Sequence, residues 1–262
     1  MGDWLGKLFF QQDSLLYAGA LGPTQPHRHH ALQVVLSLEG SITVSKGDGT
    51  PSACGTAAVI GPDVDHSIVR GSPSAVLLYV DPDERLGRQT HSVCSLDTPQ
   101  RWIERGASLR ACIPGSLPKT WDEARHLVQT ISDTLAACDA AGASGTLRRV
   151  VHPAVLRARR YIDANLAYDV RADAVASAAG ISTSRLAQLF ASDVGVPLRR
   201  YVRWCRMRAA TGPLQAGSNL AAAAAEAGFS DGAHLTRTFR QMFGIAPSEI
   251  MAVAQWVASE VP

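Results

Sequence analysis

Residues Gly228–Ile250, GFSDGAHLTRTFRQMFGIAPSEI, have the pattern of a single amphipathic helix with a marked start and stop. Ser230 is a favoured N-cap residue, because a serine hydroxyl accepts hydrogen bonds from the first backbone N–H groups of a helix. Gly244 permits a left-handed stop, and Pro247 cannot continue a helix. Apolar residues recur at the spacing of one helical face: Leu235, Phe239, Met242 and Phe243. The pattern predicts a helix but leaves open whether its polar face meets only water or reads a partner.

A second copy of this pattern lies earlier in the chain. Ala179–Pro197, AGISTSRLAQLFASDVGVP, matches Ala227–Pro247, since both have Ala-Gly, an apolar residue, Ser, Leu-x-x-x-Phe, and then Gly and Pro. Each copy follows an alanine-rich segment, RADAVASAAG or SNLAAAAAEAG, whose small side chains allow a close helix crossing. The turn glycine of each copy, Gly180 or Gly228, can adopt left-handed backbone angles. The repeat therefore predicts two helix–turn–helix units, each with a serine as N-cap of its second helix.

The segment between the two copies, Val196–Gly217, is predicted to form one connecting helix. About 13 helical residues would span roughly 20 Å, which suits two recognition helices about one DNA turn, roughly 34 Å, apart. One face is apolar, with Leu198, Tyr201, Val202 and Cys205. The rest carries the arginines that we expect to contact DNA phosphates: Arg199, Arg200, Arg203 and Arg206.

The charge of the chain is uneven, although the formal net charge is only +2. Residues 1–147 hold 11 Lys and Arg against 15 Asp and Glu, a net charge of −4. Residues 148–262 hold 14 Lys and Arg against 8 Asp and Glu, a net charge of +6. A basic half beside an acidic half predicts that the C-terminal part meets a polyanion such as DNA.

These C-terminal features resemble the DNA-binding domain of the AraC/XylS-type transcription regulators. The resemblance covers about residues 150–250 and lies in Val151–Leu166 (VHPAVLRARRYIDANL), the first repeat and AGFSDGAHLTRTFRQMFGIAPSE. It implies a regulator that is not an enzyme and that binds double-stranded operator DNA. By position, the resemblance implies that the base-facing residues are Ser182, Thr183, Ser184, Arg185 and Gln188 in the first unit, and Asp231, Gly232, Ala233, His234, Thr236 and Arg237 in the second, with Arg240 toward phosphate.

Two features depart from the family pattern. Arg171 stands where relatives have a Ser or Thr cap before the leading helix of the first unit. Gly232 and Ala233 offer no side-chain donor where relatives often place long polar residues. The second unit is therefore expected to depend more on backbone contacts or DNA shape. We expect Arg185 and Arg237 to read guanine, at about 1–3 kcal/mol each when the contact is bidentate.

Residues 15–80 have the pattern of short strands separated by turns. ALQVVLSLEG, SITVSKGDGT and SAVLLYVDPDE are rich in Val, Ile and Leu, with Gly, Asp and Pro between them. The KGDGT stretch, Lys46–Thr50, predicts a hairpin because Asp-Gly supplies the positive φ angles of a tight turn. Many short strands with such turns predict a sandwich or a small barrel.

Four polar residues of this half form a candidate binding site. His27 and His29 share one strand face by alternation and His66, on a neighbouring strand, is expected to join them, whereas His30 faces outward. The spacing resembles the cupin fold, whose first motif has His-x-His, then Glu, then Gly, and whose second ends in His. Gln33 takes the position of that Glu and is a poor metal ligand. Three interpretations stay open: a divalent-metal site of His27, His29 and His66, a ligand pocket lined by these residues and Gln33, or hydrogen bonding within the barrel mouth.

From Trp121 the apolar spacing becomes helical, with Ala124, Leu127, Val128, Ile131, Leu135 and Cys138 on one face. This helix is expected either to pack on the barrel or to form a dimer seam. Asp139–Thr146, DAAGASGT, has the small residues of a linker, and the chain after it is helical in pattern to about Trp256. The predicted fold is α+β in four parts: a cupin-like sensor domain at 1–115, a helical segment that is a candidate for dimerisation at 116–138, a linker at 139–147 and a tandem helix–turn–helix DNA-binding domain at 148–256.

These features predict a cytoplasmic transcription regulator that binds specific DNA sequences and is controlled by a small molecule in the N-terminal barrel. The N-terminus lacks the pattern of a secretory signal, and no apolar run reaches the roughly 18–20 residues of a membrane span. The expected partners are operator DNA, a small-molecule effector and a second copy of the chain, with RNA polymerase as a further candidate. Two alternatives are a metal-dependent cupin enzyme with a helical appendage and a protein-interaction module without DNA. The second alternative leaves the two basic repeats unexplained.

Overall fold

The computed structural model describes residues 4–11, 14–82, 87, 97–142, 151–251 and 254–257. Its contacts divide the chain into two units. Met1–Ser144 with Arg240–Pro262 form the sheet unit, and Gly145–Phe239 form the helical unit. The predicted α+β class is confirmed, since strands dominate the N-terminal part and helices the C-terminal part. Among the described residues, no helix is long and apolar enough to cross a membrane.

The described strands of the sheet unit form two sheets. Their bounds are β1 Leu5–Gln11, β2 Ser14–Leu21, β3 Leu32–Ser37, β4 Ile42–Ser45, β5 Ala53–Gly55, β6 Ala57–Ile60, β7 Ser67–Arg70, β8 Ser72–Val80 and β9 Ala254–Val257. One sheet has the order β6-β3-β8-β2-β1-β9, and the other has the order β5-β4-β7. The pairing of β1 with β9 is parallel, and the other described pairs are antiparallel.

The predicted hairpin at Lys46–Thr50 is confirmed, because it joins the antiparallel pair β4 and β5. The positive φ angles fall on Gly47 and Gly49 rather than on Asp48. Asp48 instead accepts a hydrogen bond from the Thr50 N–H at 3.0 Å. The connection is therefore longer than a two-residue turn and is held by this local bond.

The described N-terminal part of the sheet unit also holds two α-helices and a short 3-10 helix, Arg110–Cys112. α1, Pro99–Ala107, has no counterpart in the sequence prediction and buries Trp102 completely. α2, Trp121–Gly142, buries its predicted apolar face in one core with β-sheet residues such as Val34 and Leu78. The apolar stripe of α2 is thus used for packing on the sheet, so a dimer would need another surface.

Two predicted boundaries are wrong. Asp139–Gly142 continue helix α2 instead of opening a linker, and the remaining linker residues 143–147 lie outside the described residues. Ala254–Val257 form strand β9 rather than the end of a helix. The reason is tertiary pairing, because β9 lies in parallel register with Gly6–Phe9 and occupies the free edge of β1. A local pattern cannot show such a distant partner.

The helical unit contains the two predicted helix–turn–helix units. Its helices are α3 Pro153–Ala164, α4 Ala172–Ala179, α5 Thr183–Leu189, α6 Leu198–Gln215, α7 Leu220–Glu226 and α8 Gly232–Phe243, of which α8 runs on into the sheet unit at Arg240. The connecting helix α6 has 18 residues, about 27 Å at 1.5 Å per residue, and so is longer than expected. The short helix α9, Pro247–Met251, belongs to the sheet unit.

The two turn glycines have different surroundings. Both have left-handed backbones, with φ of +69° at Gly180 and +79° at Gly228. A Cβ added at Gly180 would meet only the Arg157 guanidinium, at 3.8 Å. A Cβ added at Gly228 would overlap the backbone carbonyl oxygen of Leu166. Only Gly228 is therefore required by both backbone conformation and space.

We expect Gly228→Ala to destabilise the protein much more than Gly180→Ala. Gly180→Ala should cost about 1–2 kcal/mol for the left-handed backbone alone. Gly228→Ala should add roughly 1–3 kcal/mol, since the Leu166 carbonyl must move. Thermal unfolding followed by circular dichroism measures both variants. Equal midpoint temperatures would contradict the close approach at Gly228.

Candidate DNA-binding surface and buried histidine cluster

The first helix–turn–helix unit is built from α4, a glycine turn and α5. Gly180 ends α4, and the Ile181 N–H donates to the Ala176 carbonyl at 3.1 Å. Ser182 then caps α5, as predicted, by accepting a hydrogen bond from the Arg185 N–H at 3.3 Å. Arg171 begins α4 without a side-chain cap bond, which agrees with the departure seen in the sequence. The glycine turn and the Ser182 cap thus fix the residue at which α5 begins.

The second unit repeats this turn and then shifts the cap by one residue. The Phe229 N–H donates to the Ala224 carbonyl at 2.8 Å, as Ile181 does to Ala176 in the first unit. The predicted N-cap Ser230 is wrong, because Asp231 Oδ1 accepts the His234 N–H at 2.6 Å. Ser230 instead donates its hydroxyl to Asp231 Oδ2 at 3.1 Å. These bonds, the one from His234 first, lower the pKa of Asp231, so a charged carboxylate sits at the positive end of the helix.

This cap shift sets which residues of the two helices are equivalent. The buried leucine four residues after each cap is Leu186 in α5 and Leu235 in α8. Arg185 therefore corresponds to His234, and Gln188 to Arg237. The extra residue before Leu235 accounts for the change from a 48-residue to a 49-residue offset between the copies.

The polar face of α5 is open along its first two turns. The exposed candidates are Ser182, Thr183, Ser184, Arg185 and Gln188. The Arg185 guanidinium lies 3.4 Å from the Gln188 side-chain oxygen, so these two side chains project from the same face. Leu186 and Leu189 point into the core of the unit. The start of α5 therefore presents both hydrogen-bond donors and hydrogen-bond acceptors to solvent.

The candidates of α8 are less uniform. Asp231, Ala233, Arg237 and Arg240 are exposed, whereas Gly232, His234 and Thr236 are half-buried. The Thr236 hydroxyl donates to the Gly232 carbonyl at 2.8 Å, inside the helix. The His234 ring lies edge-on to Phe229, with ring centroids 5.2 Å apart. The long exposed side chains on this face are thus the two arginines.

The arginines of α6 divide into two kinds. Arg199 and Arg203 are exposed and, with Thr183 and Arg171, line a groove of about 800 Å³ in the helical unit. Arg206 lines the same groove but also makes hydrogen bonds within the protein. Its guanidinium donates to the Leu166 and Tyr168 carbonyls at 3.2 and 2.8 Å, and Arg200 is half-buried.

The structure brings together the histidines of the sheet unit that the sequence singled out. His27 and His66 form an antiparallel bridge, with N–H to carbonyl distances of 2.9 and 3.0 Å. The His29 ring lies 5.6 Å from that of His27 and 5.0 Å from that of His66. One nitrogen from each ring lies within 4.8 Å of the other two. We call His27, His29 and His66 the histidine cluster.

Gln33 completes the cluster from strand β3. Its side-chain oxygen lies 2.9 Å from the Nε2 atoms of both His29 and His66. Gln33, His29 and His66 are at most 1% exposed. The Gln33 Nε2 and His27 Nε2 atoms are buried and have no hydrogen-bond partner among the described residues. The site is therefore polar, closed and incompletely satisfied, which is uncommon for buried polar atoms.

Burial keeps the imidazoles of the cluster neutral. Desolvation, with repulsion from His29, lowers the pKa of His27 to about 3. Desolvation lowers the pKa of His29 to about 4. Desolvation and the two neighbouring rings hold the pKa of His66 well below its usual range. Near neutral pH each ring therefore has one nitrogen with a free lone pair.

The prediction that His30 faces outward is wrong. His30 is 3% exposed, and its Nδ1 lies 2.6 Å from the Asp63 carboxylate. Strand alternation does not apply here, because among residues 27–30 only His27 makes a β-bridge. The Asp63 N–H also donates to the His29 carbonyl at 2.8 Å. Asp63 thus fixes the backbone next to the cluster, and no sequence motif marks it.

The end of helix α8 docks on the strand segment that carries the cluster, within the sheet unit. The Gln25 N–H donates to the Gly244 carbonyl at 2.9 Å. A Cβ at Gly244 would overlap the Gln25 carbonyl and lie 2.7 Å from His27 Nδ1. The Phe243 ring packs 6.1 Å from His29 and 5.2 Å from Tyr79. Sequence reasoning assigned Phe243 only to the apolar stripe of its helix, since a helical period cannot identify a distant partner.

Comparison with known proteins gives a domain match and several solved structures. Residues 175–252 match a family model described as a helix-turn-helix domain. An apo point variant of ToxT from Vibrio cholerae strain SCE256 has a TM-score of 0.63 and 12% identity, covering 94% of this chain and 99% of that chain. Wild-type ToxT from the same strain, bound to an unsaturated fatty acid, has a TM-score of 0.59 and 11% identity, covering 93% and 96%. No curated relative matches the chain.

A third solved structure is an AraC-type transcriptional regulator domain from Chromobacterium violaceum, with 29% identity, a TM-score of 0.36 and coverage of 38% of this chain and 90% of that chain. The TM-scores of the ToxT structures show that this chain shares their fold over nearly its whole length. The helix–turn–helix match includes both repeats, Ala179–Pro197 and Ala227–Pro247. The chain therefore carries a helix-turn-helix domain over residues 175–252 and has the fold of ToxT.

Proposed function

We propose that the protein is a transcription regulator that binds DNA through α5 and α8 and responds to a ligand at the histidine cluster. The observation that carries the proposal is the pair of matching turns. Each turn glycine is left-handed, and each turn is closed by the same backbone bond and followed by a side-chain cap. Such a turn presents the N-terminal end of a recognition helix to the major groove.

Base reading is assigned mainly to α5. Arg185 and Gln188 are exposed side by side and offer donors and an acceptor to base edges. In α8, Arg237 takes the place of Gln188, and His234 takes that of Arg185. Ser182, Thr183 and Ser184 lie at the start of α5, where hydroxyl groups suit base edges or phosphate. Asp231 and Thr236 serve the helix itself, since their polar atoms bond to its first turn.

Phosphate contacts are assigned to exposed arginines. Arg199 and Arg203 line one groove with the N-terminal residue of α5, Thr183, and Arg240 lies exposed near the end of α8. Arg200 is half-buried and contributes less. Arg206 is assigned to holding the loop after α3, because its Nε and one Nη atom donate to two carbonyls there.

Ligand control is assigned to the contact between the histidine cluster and the end of α8. A ligand that moves His27 or His29 changes the fit to Gly244 and Phe243. Helix α8 carries this change toward Arg237 because it is continuous from Gly232 to Phe243. A ligand controls DNA binding only by favouring one arrangement of such an element.

The alternative of a metal-dependent enzyme has one specific observation in its favour, the three converging imidazoles. The fold and the matched domain are those of transcription regulators. A homodimer, contact with RNA polymerase and a cytoplasmic location stay predictions from the sequence.

A gel-shift assay with DNA upstream of the protein's own gene tests the proposal. We expect binding that weakens as salt rises, because phosphate contacts release counterions. Arg203→Gln should weaken binding on all sequences and reduce the slope of log K against log salt by about 1. Arg125→Gln, an exposed arginine of α2, is the matched control. Absence of binding even at low salt would refute the proposal.

The assignment of base reading predicts a difference in specificity between two substitutions. Arg185→Ala should relax sequence preference by about 1–3 kcal/mol at one base position. Ala233→Ser, on the weaker reader α8, should change preference less. Sequencing of DNA selected by each variant measures both. A larger effect of Ala233→Ser would place the readout in the second unit instead.

A further inference from the structure

We propose that the histidine cluster binds a divalent transition-metal ion through one ring nitrogen of each histidine, and that the Gln33 amide competes with the ion for His29 and His66. The competition makes the ion an exchangeable effector rather than a permanent cofactor. The regulatory part of this inference rests on the proposed function, whereas the binding part stands by itself.

The tautomers of two rings are set by backbone carbonyls. His27 Nδ1 lies 2.8 Å from the Gln25 carbonyl, and His66 Nδ1 lies 2.8 Å from the Val64 carbonyl. A carbonyl only accepts hydrogen bonds, so each Nδ1 carries the hydrogen and each Nε2 carries a lone pair. Orienting bonds of this kind, from the outer nitrogen to a carbonyl, are the usual support of metal-binding histidines.

One nitrogen from each of the three rings converges on a buried point. One ring nitrogen of each histidine lies within 4.8 Å of the other two, and nitrogens bound to one ion at about 2.0–2.1 Å lie roughly 3.3 Å apart. Modest ring movements would close that gap. Three imidazoles suit zinc, cobalt, nickel or copper, whereas magnesium and calcium prefer oxygen ligands.

Gln33 occupies the position between two of these rings. With its oxygen 2.9 Å from His66 Nε2, two lone pairs face each other. Rotating the amide by half a turn would present its N–H groups to His29 and His66 instead. In either orientation, the end of the buried amide that points away from the two rings has no hydrogen-bond partner among the described residues. An ion must displace the amide from both imidazoles or accept its oxygen as a weak ligand.

The neutral amide explains why the ion would exchange. A carboxylate at position 33 would offset one positive charge of a buried divalent ion, and an amide does not. Gln33 therefore lowers affinity in two ways, by supplying no charge and by occupying the imidazoles when the ion is absent. Both effects favour reversible binding.

Metal titration of the full chain, purified without a polyhistidine tag and treated with chelator, tests the inference. We expect one equivalent of Zn²⁺ by calorimetry, and visible absorption of Co²⁺ that reports nitrogen ligands. His66→Gln should abolish binding, and His126→Gln, an exposed histidine of α2, should not. Gln33→Glu should bind at least about tenfold more tightly. This gain cannot result from misfolding, so it covers the case in which His66→Gln fails to fold.

The same preparations in the gel-shift assay separate the two proposals. Binding of one equivalent of Zn²⁺ with a change in DNA affinity supports both the site and its role as effector. One equivalent without any change in DNA affinity keeps the site and overturns the effector role. DNA binding with less than about a tenth of an equivalent of metal overturns the inference and leaves the DNA-binding function standing. Unchanged metal affinity in Gln33→Glu overturns the role of Gln33.

Discussion

The helical unit depends on the close approach of the Gly228 turn to the Leu166 carbonyl. The turn needs a left-handed backbone, and the approach leaves no room for a Cβ. Arg206 donates to the same carbonyl and to that of Tyr168, so one loop after α3 is held from both α6 and the second turn. This constraint fixes where α8 begins relative to the first unit. Arg206, which the sequence predicted as a phosphate contact, therefore holds this loop in place.

The two ends of helix α8 carry residues with different proposed roles. Its first turns carry Asp231, His234 and Arg237, and its last turn carries Phe243 into the sheet unit. There the chain continues to Gly244, which bonds to Gln25 two residues before His27. The last turn of α8 thus lies beside the candidate effector site, and its first turns carry candidate base-reading residues. Control would need only a small shift at this end, since packed elements change position as units.

The sequence predicted whatever depends on local repetition. Two matching glycine turns and the Ser182 cap follow from short patterns. His27, His29 and His66 do come together, although residues 28–30 are not in the strand that the alternation argument assumed. The errors lie where a distant residue decides. Strand β9 forms by pairing with the edge of β1. His30 can be buried because its ring is hydrogen-bonded to the Asp63 carboxylate. The error at the N-cap of α8 has a local origin, because Ser230 and Asp231 are adjacent and both residue types can cap a helix. The structure uses Asp231, which keeps the cap four residues before the buried leucine, as in α5.

In the proposed function, both helix–turn–helix units read one duplex. Selection of bound sequences from random DNA by the full chain tests this most directly. Helix α6, about 27 Å long, joins the two helix–turn–helix units, so we expect two short conserved blocks about 10–10.5 base pairs apart from centre to centre. The block read by α5 should be the stronger one. A single conserved block, or enrichment without any sequence preference, would show that the two helix–turn–helix units do not read one duplex together.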